Sequence, residues 1–125
     1  MTRGICLSTV ALVMLAAPAF AQDKCSAPIA PVVPNGRTAT VSDLVQANKD
    51  VVSFIKSSDD YQSCLLADLQ SQIDAAKDDK DNKKGLDPAI KKAIEAKGDA
   101  NQKLKESVGK AYNAAAAAYK QAHPK

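Results

Sequence analysis

Two cysteines are the residues of this chain whose type and spacing point most directly to chemistry. Cys25 and Cys64 lie 39 residues apart, and the one histidine, His123, stands close to the C-terminal residue. Redox-active pairs usually take the C-x-x-C spacing, and two metal-bound thiolates need further ligands. The pair therefore predicts a structural disulfide, with a redox pair and a metal site as the alternatives. Closing a loop of this size stabilises a fold by roughly 3–4 kcal/mol.

Acidic side chains could in principle bind a cation near the middle of the chain, where the sequence places Asp78, Asp79, Asp81 and Asn82. An EF-hand loop starting at Asp79 would need an oxygen ligand at Lys83 and a glutamate at Ile90, so the spacing does not fit. Neighbouring lysines also neutralise these carboxylates. The sequence therefore predicts no metal site and no cofactor.

Adjacent carboxylates at Asp59 and Asp60 are the nearest approach to an acid–base pair. Neighbours on a helix point about 100° apart, so these two carboxylates do not converge on one substrate. No histidine, catalytic cysteine or serine motif accompanies them. The sequence predicts a protein without catalytic residues, and therefore not an enzyme.

Lysines and tyrosines in the C-terminal third form a candidate interaction surface, made of Lys91, Lys92, Lys103, Lys105, Lys110, Tyr112 and Tyr119. Such a surface could bind an anionic membrane or another acidic ligand. The alternative is a solvated lysine face, with the tyrosines packed in a core or a dimer. Nucleic acid is excluded by the expected export and by the lack of interleaved aromatic residues.

Residues 1–21 have the features of a cleaved export signal. Arg3 gives a short positive region, residues 5–17 an apolar segment, and residues 19–21 (AFA) a small-x-small cleavage site. Cys6 leaves with this segment, and Cys25 lies too far past the cut for a lipoprotein. Cleavage leaves 104 residues with a net charge of +2, and 18 of their 42 apolar residues are alanine. We therefore expect a soluble periplasmic protein.

Residues 22–40 are predicted to form an extended arm. Pro28, Pro31 and Pro34 recur every third residue and exclude a helix, and Asn35-Gly36 predicts a turn. The P-x-x-P spacing also occurs in ligands of aromatic grooves. We favour an arm that folds back along the first helix to Cys64, where its apolar residues (Pro28, Ile29, Val32 and Val33) shield apolar surface.

Two helices are predicted to follow, at 41–79 and 87–122, with a loop at 80–86. Thr40 and Asp87 are the expected N-caps, Asp43 and Pro88 support them, and Gly85 is the expected C-terminal cap of the first helix. Apolar stripes follow helical spacing on both helices. The first stripe contains Leu44, Val51, Val52, Ile55, Leu65, Leu66, Leu69, Ile73 and Ala76, and the second Ile90, Ile94, Leu104, Val108, Ala111, Tyr112, Ala115 and Tyr119.

The two helices match in length, at about 55 Å each, which favours an antiparallel hairpin of coiled-coil type. A turn near residue 83 would place Ile73 opposite Ala93 and Ile94, and Leu44 opposite Ala122. Charge supports the pairing, because residues 41–79 carry a net charge of −5 and residues 87–122 carry +3.

The frame of Cys25, Pro28, residues 34–36 (PNG) and residues 61–65 (YQSCL) resembles small exported helical proteins of Gram-negative bacteria that carry no established activity. The resemblance covers about 40 residues. It implies a periplasmic location and a disulfide-tied helical hairpin, and it brings no functional residues with it.

The sequence thus predicts an all-α antiparallel two-helix hairpin, with an extended N-terminal arm clipped to helix one by a disulfide. The expected function is a non-enzymatic periplasmic interaction or envelope-stress protein of the chaperone type. Its amphipathic helices would contact a protein partner or a second copy. The alternative is a membrane-surface or acidic-ligand binder that uses the lysine-rich second helix.

Overall fold

The computed structural model describes residues 24–81 and 84–124, which form two long antiparallel helices and no strand. Helix α1 spans Val41–Asp78 and helix α2 spans Pro88–Ala122, and the two pack against each other. The predicted all-α hairpin is confirmed, and so is the disulfide that ties the arm to α1. The predicted signal at 1–21 lies outside the described residues.

Both helices begin at the predicted caps, because local side chains satisfy the free backbone N–H groups there. The Thr40 hydroxyl accepts a hydrogen bond from the Asp43 backbone N–H at 3.2 Å, and the Asp43 carboxylate accepts one from the Thr40 backbone N–H at 2.8 Å. The Asp87 carboxylate accepts a hydrogen bond from the Ala89 backbone N–H at 2.8 Å. The sequence around each cap is therefore sufficient to start each helix.

The end of α1 differs from its prediction. The helix ends at Asp78, with Asp79 as its C-cap, one residue before the predicted bound at 79. Gly85 does adopt a left-handed backbone, with φ of 73°. It lies seven residues beyond the helix end, however, so the prediction that Gly85 caps α1 is wrong. Helix α2 starts at Pro88, directly after its predicted N-cap Asp87.

The seam between the helices follows a seven-residue repeat, as in coiled coils. Its buried positions are Leu44, Ala47, Val51, Phe54, Ser58, Tyr61 and Leu65 on α1, and Ile94, Asn101, Val108 and Ala115 on α2. Phe54 and Tyr61 are thus central to the seam. Val52 and Leu66, predicted within the buried stripe, are 60% and 68% exposed, so that prediction is wrong for both.

The register also differs from the predicted one, by roughly one to two helical turns on average. Leu44 packs with Ala115 and Tyr119, whereas Ala122 was expected opposite it. Ile94 packs on Tyr61 and Leu65, whereas Ile73 was expected there. Because α1 stops at Asp78, the hairpin turns earlier in the chain than the predicted centre near residue 83.

The arm runs back along one side of the hairpin, from the disulfide to the start of α1. Ala30 and Val33 pack on a cluster of Val51, Phe54 and Val108, and Ala39 packs with Leu44 and Ala115. Ile29 and Val32 are 93% and 90% exposed, so the expectation that these two shield apolar surface is wrong. An extended chain of threefold period presents every third residue to the same side, and here that inner set contains Ala30 and Val33.

Candidate functional site

The side of the hairpin opposite the arm carries a second apolar stripe of α1. We call this side the open face, and on α1 it consists of Val41, Val45, Val52, Ile55, Leu66, Leu69 and Ile73. At about 100° per residue these positions lie roughly opposite Asp50 and Ser57, which line the arm. Val41, Val45, Val52 and Leu66 are between 50% and 68% exposed. Apolar groups so arranged in one row are typical of an interaction surface.

Two shallow grooves on the open face follow the seam between the helices. The loop-side groove, of about 350 Å³, has an apolar floor with Leu65, Leu66, Leu69 and Ile94 and an acidic rim at Glu95 and Asp99. The end groove, of about 310 Å³, is lined by Val41, Leu44, Val45, Tyr112 and Tyr119, with Asn48 and Lys49 at its edge. Both grooves are shallow and open to solvent, whereas small-molecule sites are usually enclosed.

A polar layer separates the two grooves. Ser58 is fully buried and accepts a hydrogen bond from the Asn101 side-chain amide at 3.4 Å. The Gln62 amide donates to Asn101 at 3.0 Å and to Gln102 at 3.3 Å. An ion pair between Lys105 and Asp59 crosses the seam at the same level. The sequence shows Ser58, Gln62 and Asn101 as interruptions of the apolar stripes, but it does not show that they meet.

The predicted lysine and tyrosine surface is not brought together as one patch. Lys105 forms an ion pair with Asp59, and the Lys91 ammonium lies 3.7 Å from the Glu95 carboxylate. Tyr112 and Tyr119 are half-buried beside the seam. The Tyr112 hydroxyl accepts a hydrogen bond from the Asn48 amide at 3.0 Å, and Tyr119 stacks on His123 with ring centroids 4.2 Å apart.

Three of the predicted lysines do share one outward edge of α2. Lys92, Lys103 and Lys110 are exposed, and at about 100° per residue they fall in nearly the same direction, away from α1. This lysine edge, defined by those three residues, lies beyond the open face. The spacing of these lysines in the sequence is enough to place them on a different side of α2 from Lys91 and Lys105.

The disulfide site fixes the arm at the middle of α1. The Cys25 and Cys64 sulfurs are 2.01 Å apart, and Cys25 is buried against Tyr61, Leu65 and Ile94. One residue earlier, the Lys24 ammonium lies 3.1 Å from the Asp68 carboxylate. Hydrogen bonds from Lys24 and then Gln72 hold the pKa of Asp68 below its ordinary value.

The acidic residues near the loop contact one another only locally. Asp79 accepts a hydrogen bond from the Asp81 backbone N–H at 3.0 Å, and Asp78, Asp79 and Asp81 are all exposed. Asn82 lies outside the described residues. Across residues 24–81 and 84–124, no group of three or more potential ligands among His, Cys, Asp and Glu is placed to hold a metal ion.

Neither helix in the described part of the chain is both long enough and apolar enough to cross a membrane. The intramolecular disulfide agrees with an exported protein, since such bonds persist in oxidising compartments.

No family model, curated protein or solved structure matches this chain.

Proposed function

We propose that this protein is a non-enzymatic interaction protein of the bacterial periplasm, which binds segments of other proteins on its open face as an envelope-stress chaperone would. The observation that carries the proposal is the row of exposed Val41, Val45, Val52 and Leu66 beside two open grooves. Unfolded segments expose apolar side chains, amphipathic helices present them along one side, and an open apolar groove can accept either.

The export features of residues 1–21 and the Cys25–Cys64 disulfide support the periplasmic part of the proposal. Cell fractionation would test it. The expected result is a protein released with the periplasmic contents and lacking residues 1–21. A cytoplasmic protein with free thiols would contradict this location.

A matched pair of double variants tests the binding part. Val52→Lys/Leu66→Lys places two charges on the open face, whereas Ile29→Lys/Val32→Lys places two charges on the exposed edge of the arm. The purified oxidised protein should slow the aggregation of a thermally unfolded client enzyme. The open-face variant should lose this protection and the arm variant should keep it. Equal protection by both variants, or none by the wild type, would refute client binding through this face.

The shared direction of Lys92, Lys103 and Lys110 supports a second candidate, binding of an anionic membrane surface. Co-sedimentation with phosphatidylglycerol-rich vesicles at low salt tests it. Binding that disappears when these three lysines become glutamine would favour this function. No binding at low salt would remove it, and the aggregation assay would be unaffected.

A further inference from the structure

We propose that a second copy of this chain covers the open face. The two copies would form an antiparallel four-helix bundle in which α1 of each chain packs on α2 of the other. This proposal rests on the proposed function, because it assigns a partner to the same face. Client binding and dimer formation would then compete for one surface.

The size of the open face is sufficient for a stable dimer. From Val41 to Ile73 the apolar stripe follows α1 for about 48 Å at 1.5 Å per residue. Two helices side by side are about 20 Å wide, which gives a face of about 960 Å². Stable interfaces bury roughly 800 Å² on each partner. A single peptide helix would cover only about half of this face.

The net charges of the two helices favour one orientation of a second copy, while the α2 rim of the loop-side groove is itself acidic at Glu95 and Asp99. Within the helices as observed, α1 has seven aspartates and three lysines, and α2 has seven lysines and three acidic residues. The helices therefore carry net charges of −4 and +4. Placing α1 on α2 of the partner joins helices of opposite net charge, whereas α1 on α1 would join helices of like net charge.

Side-chain size supports the same pairing. The large exposed side chains of the open face belong to α1, whereas α2 presents Gly98, Gly109 and Ala116 near the same side. A Cβ added at Gly98 or Gly109 would meet nothing within 4 Å. Glycine disfavours a helix interior, and no contact within one chain requires it at these positions. The space is suited to valine and leucine side chains from α1 of a second chain.

The required symmetry also aligns the polar layer. A two-fold axis parallel to the helices keeps every layer of one chain level with the same layer of the other. Gln62 and Gln102 of the two copies would then meet at one height, and each apolar groove would meet its counterpart. The arms remain on the two outer sides, away from the interface.

Sedimentation equilibrium and light scattering on the purified oxidised protein test the dimer. The wild type should have the mass of two chains at micromolar concentration. The Val52→Lys/Leu66→Lys variant should bind itself at least about tenfold more weakly, because each lysine removes a buried aliphatic contact. Ile29→Lys/Val32→Lys should dimerise as the wild type does.

A wild-type protein that stays at the mass of one chain would overturn the dimer, as would an arm variant that dissociates equally. Circular dichroism checks that the variants keep their helices, and Leu66→Gln replaces the double variant if that one unfolds. If the wild type is a monomer that protects the client, and the open-face variant does not protect it, only the dimer proposal is overturned. A dimer without client protection would overturn only the proposed function.

Discussion

Gly36 lies where the arm turns against α2, and its missing side chain lets the two backbones touch. Asn35 holds the turn, because its side-chain oxygen accepts a hydrogen bond from the Arg37 backbone N–H at 3.0 Å and its backbone carbonyl accepts one from Ala39 at 2.9 Å. A Cβ at residue 36 would overlap the backbone carbonyl of Ala115. Ala115 therefore forms part of the surface on which the arm lies.

Gly36→Ala is expected to lower the free energy of unfolding by about 1–3 kcal/mol, because overlap with a helix backbone cannot be relieved by side-chain rotation. Urea denaturation of the oxidised protein measures the change. Arg37→Ala is the control, since Arg37 is exposed in the same turn and should change stability by less than about 0.5 kcal/mol. Equal effects from both variants would contradict the close contact.

Thr40 and Asp43 make a prediction that depends on pH. Hydrogen bonds from the Thr40 backbone and then its hydroxyl lower the pKa of Asp43. A lowered folded-state pKa means that the charged carboxylate contributes stability above about pH 4 and loses it as the pH falls through the folded-state value. Thr40→Ala should therefore raise the pKa of Asp43 in an NMR titration and make stability less dependent on pH below about 4.

The same substitution should destabilise the protein by about 1 kcal/mol at neutral pH, the usual effect of losing an N-cap hydroxyl. Thr40→Ser keeps the hydroxyl and should keep both the lowered pKa and the stability. An unchanged Asp43 titration in Thr40→Ala would show that the backbone hydrogen bond alone sets its pKa.

At the scale of the helices, the polar layer determines register. Apolar seams repeat every seven residues and could slide by one repeat, but sliding would place Asn101 against an apolar side chain instead of Ser58. Burying an amide without a partner costs more than the hydrogen bond itself gains. We infer that the layer specifies one alignment of α1 on α2.

A double-mutant cycle at Ser58 and Asn101 measures this contribution. Asn101→Ala is expected to cost about 1–3 kcal/mol, because the fully buried Ser58 hydroxyl loses its partner across the seam. Ser58→Ala/Asn101→Ala should cost less than the two single changes together. Strict additivity would show that the two side chains do not stabilise each other.

Helix starts were predictable from the sequence because a cap is a local feature, as Thr40 with Asp43 and Asp87 with Pro88 illustrate. The buried face of α1 was not, because α1 carries two apolar stripes. Val52 and Leu66 are as apolar as Val51 and Leu65, and only packing against α2 decides which of them is buried. The open face was missed for the same reason, although two stripes on one helix were a detectable signal.

The arm, too, was only partly predictable from the sequence. Its extended course and its attachment at Cys64 follow from proline spacing and cysteine pairing. Which of Ile29, Ala30, Val32 and Val33 faces inward depends on the rotation of the chain about its axis. Gly36 against Ala115 helps to fix that rotation, and this contact joins residues far apart in sequence.

At the scale of the whole molecule, the disulfide holds the arm on a thin two-helix core. Cys25→Ser/Cys64→Ser should lower the free energy of unfolding by roughly 3–4 kcal/mol, by restoring freedom to the unfolded chain. Guanidinium denaturation measures the loss, and trypsin should then cleave after Arg37 more readily. Peptide mapping without reductant should recover the Cys25 and Cys64 peptides linked, and a loss below about 1 kcal/mol would contradict the stabilising role.

The same bond also decides how the protein would carry a mechanical load. Tension applied at Lys24 passes through the sulfurs into Cys64 and does not stretch the 39-residue span between the two cysteines. The arm and roughly the first two thirds of α1 are therefore shielded from force, while the last third of α1 and α2 bear it. Reduction would add about 130 Å of extensible chain, at up to about 3.5 Å per residue. A thiol reductant would therefore increase the extension that the molecule reaches when it unfolds under force.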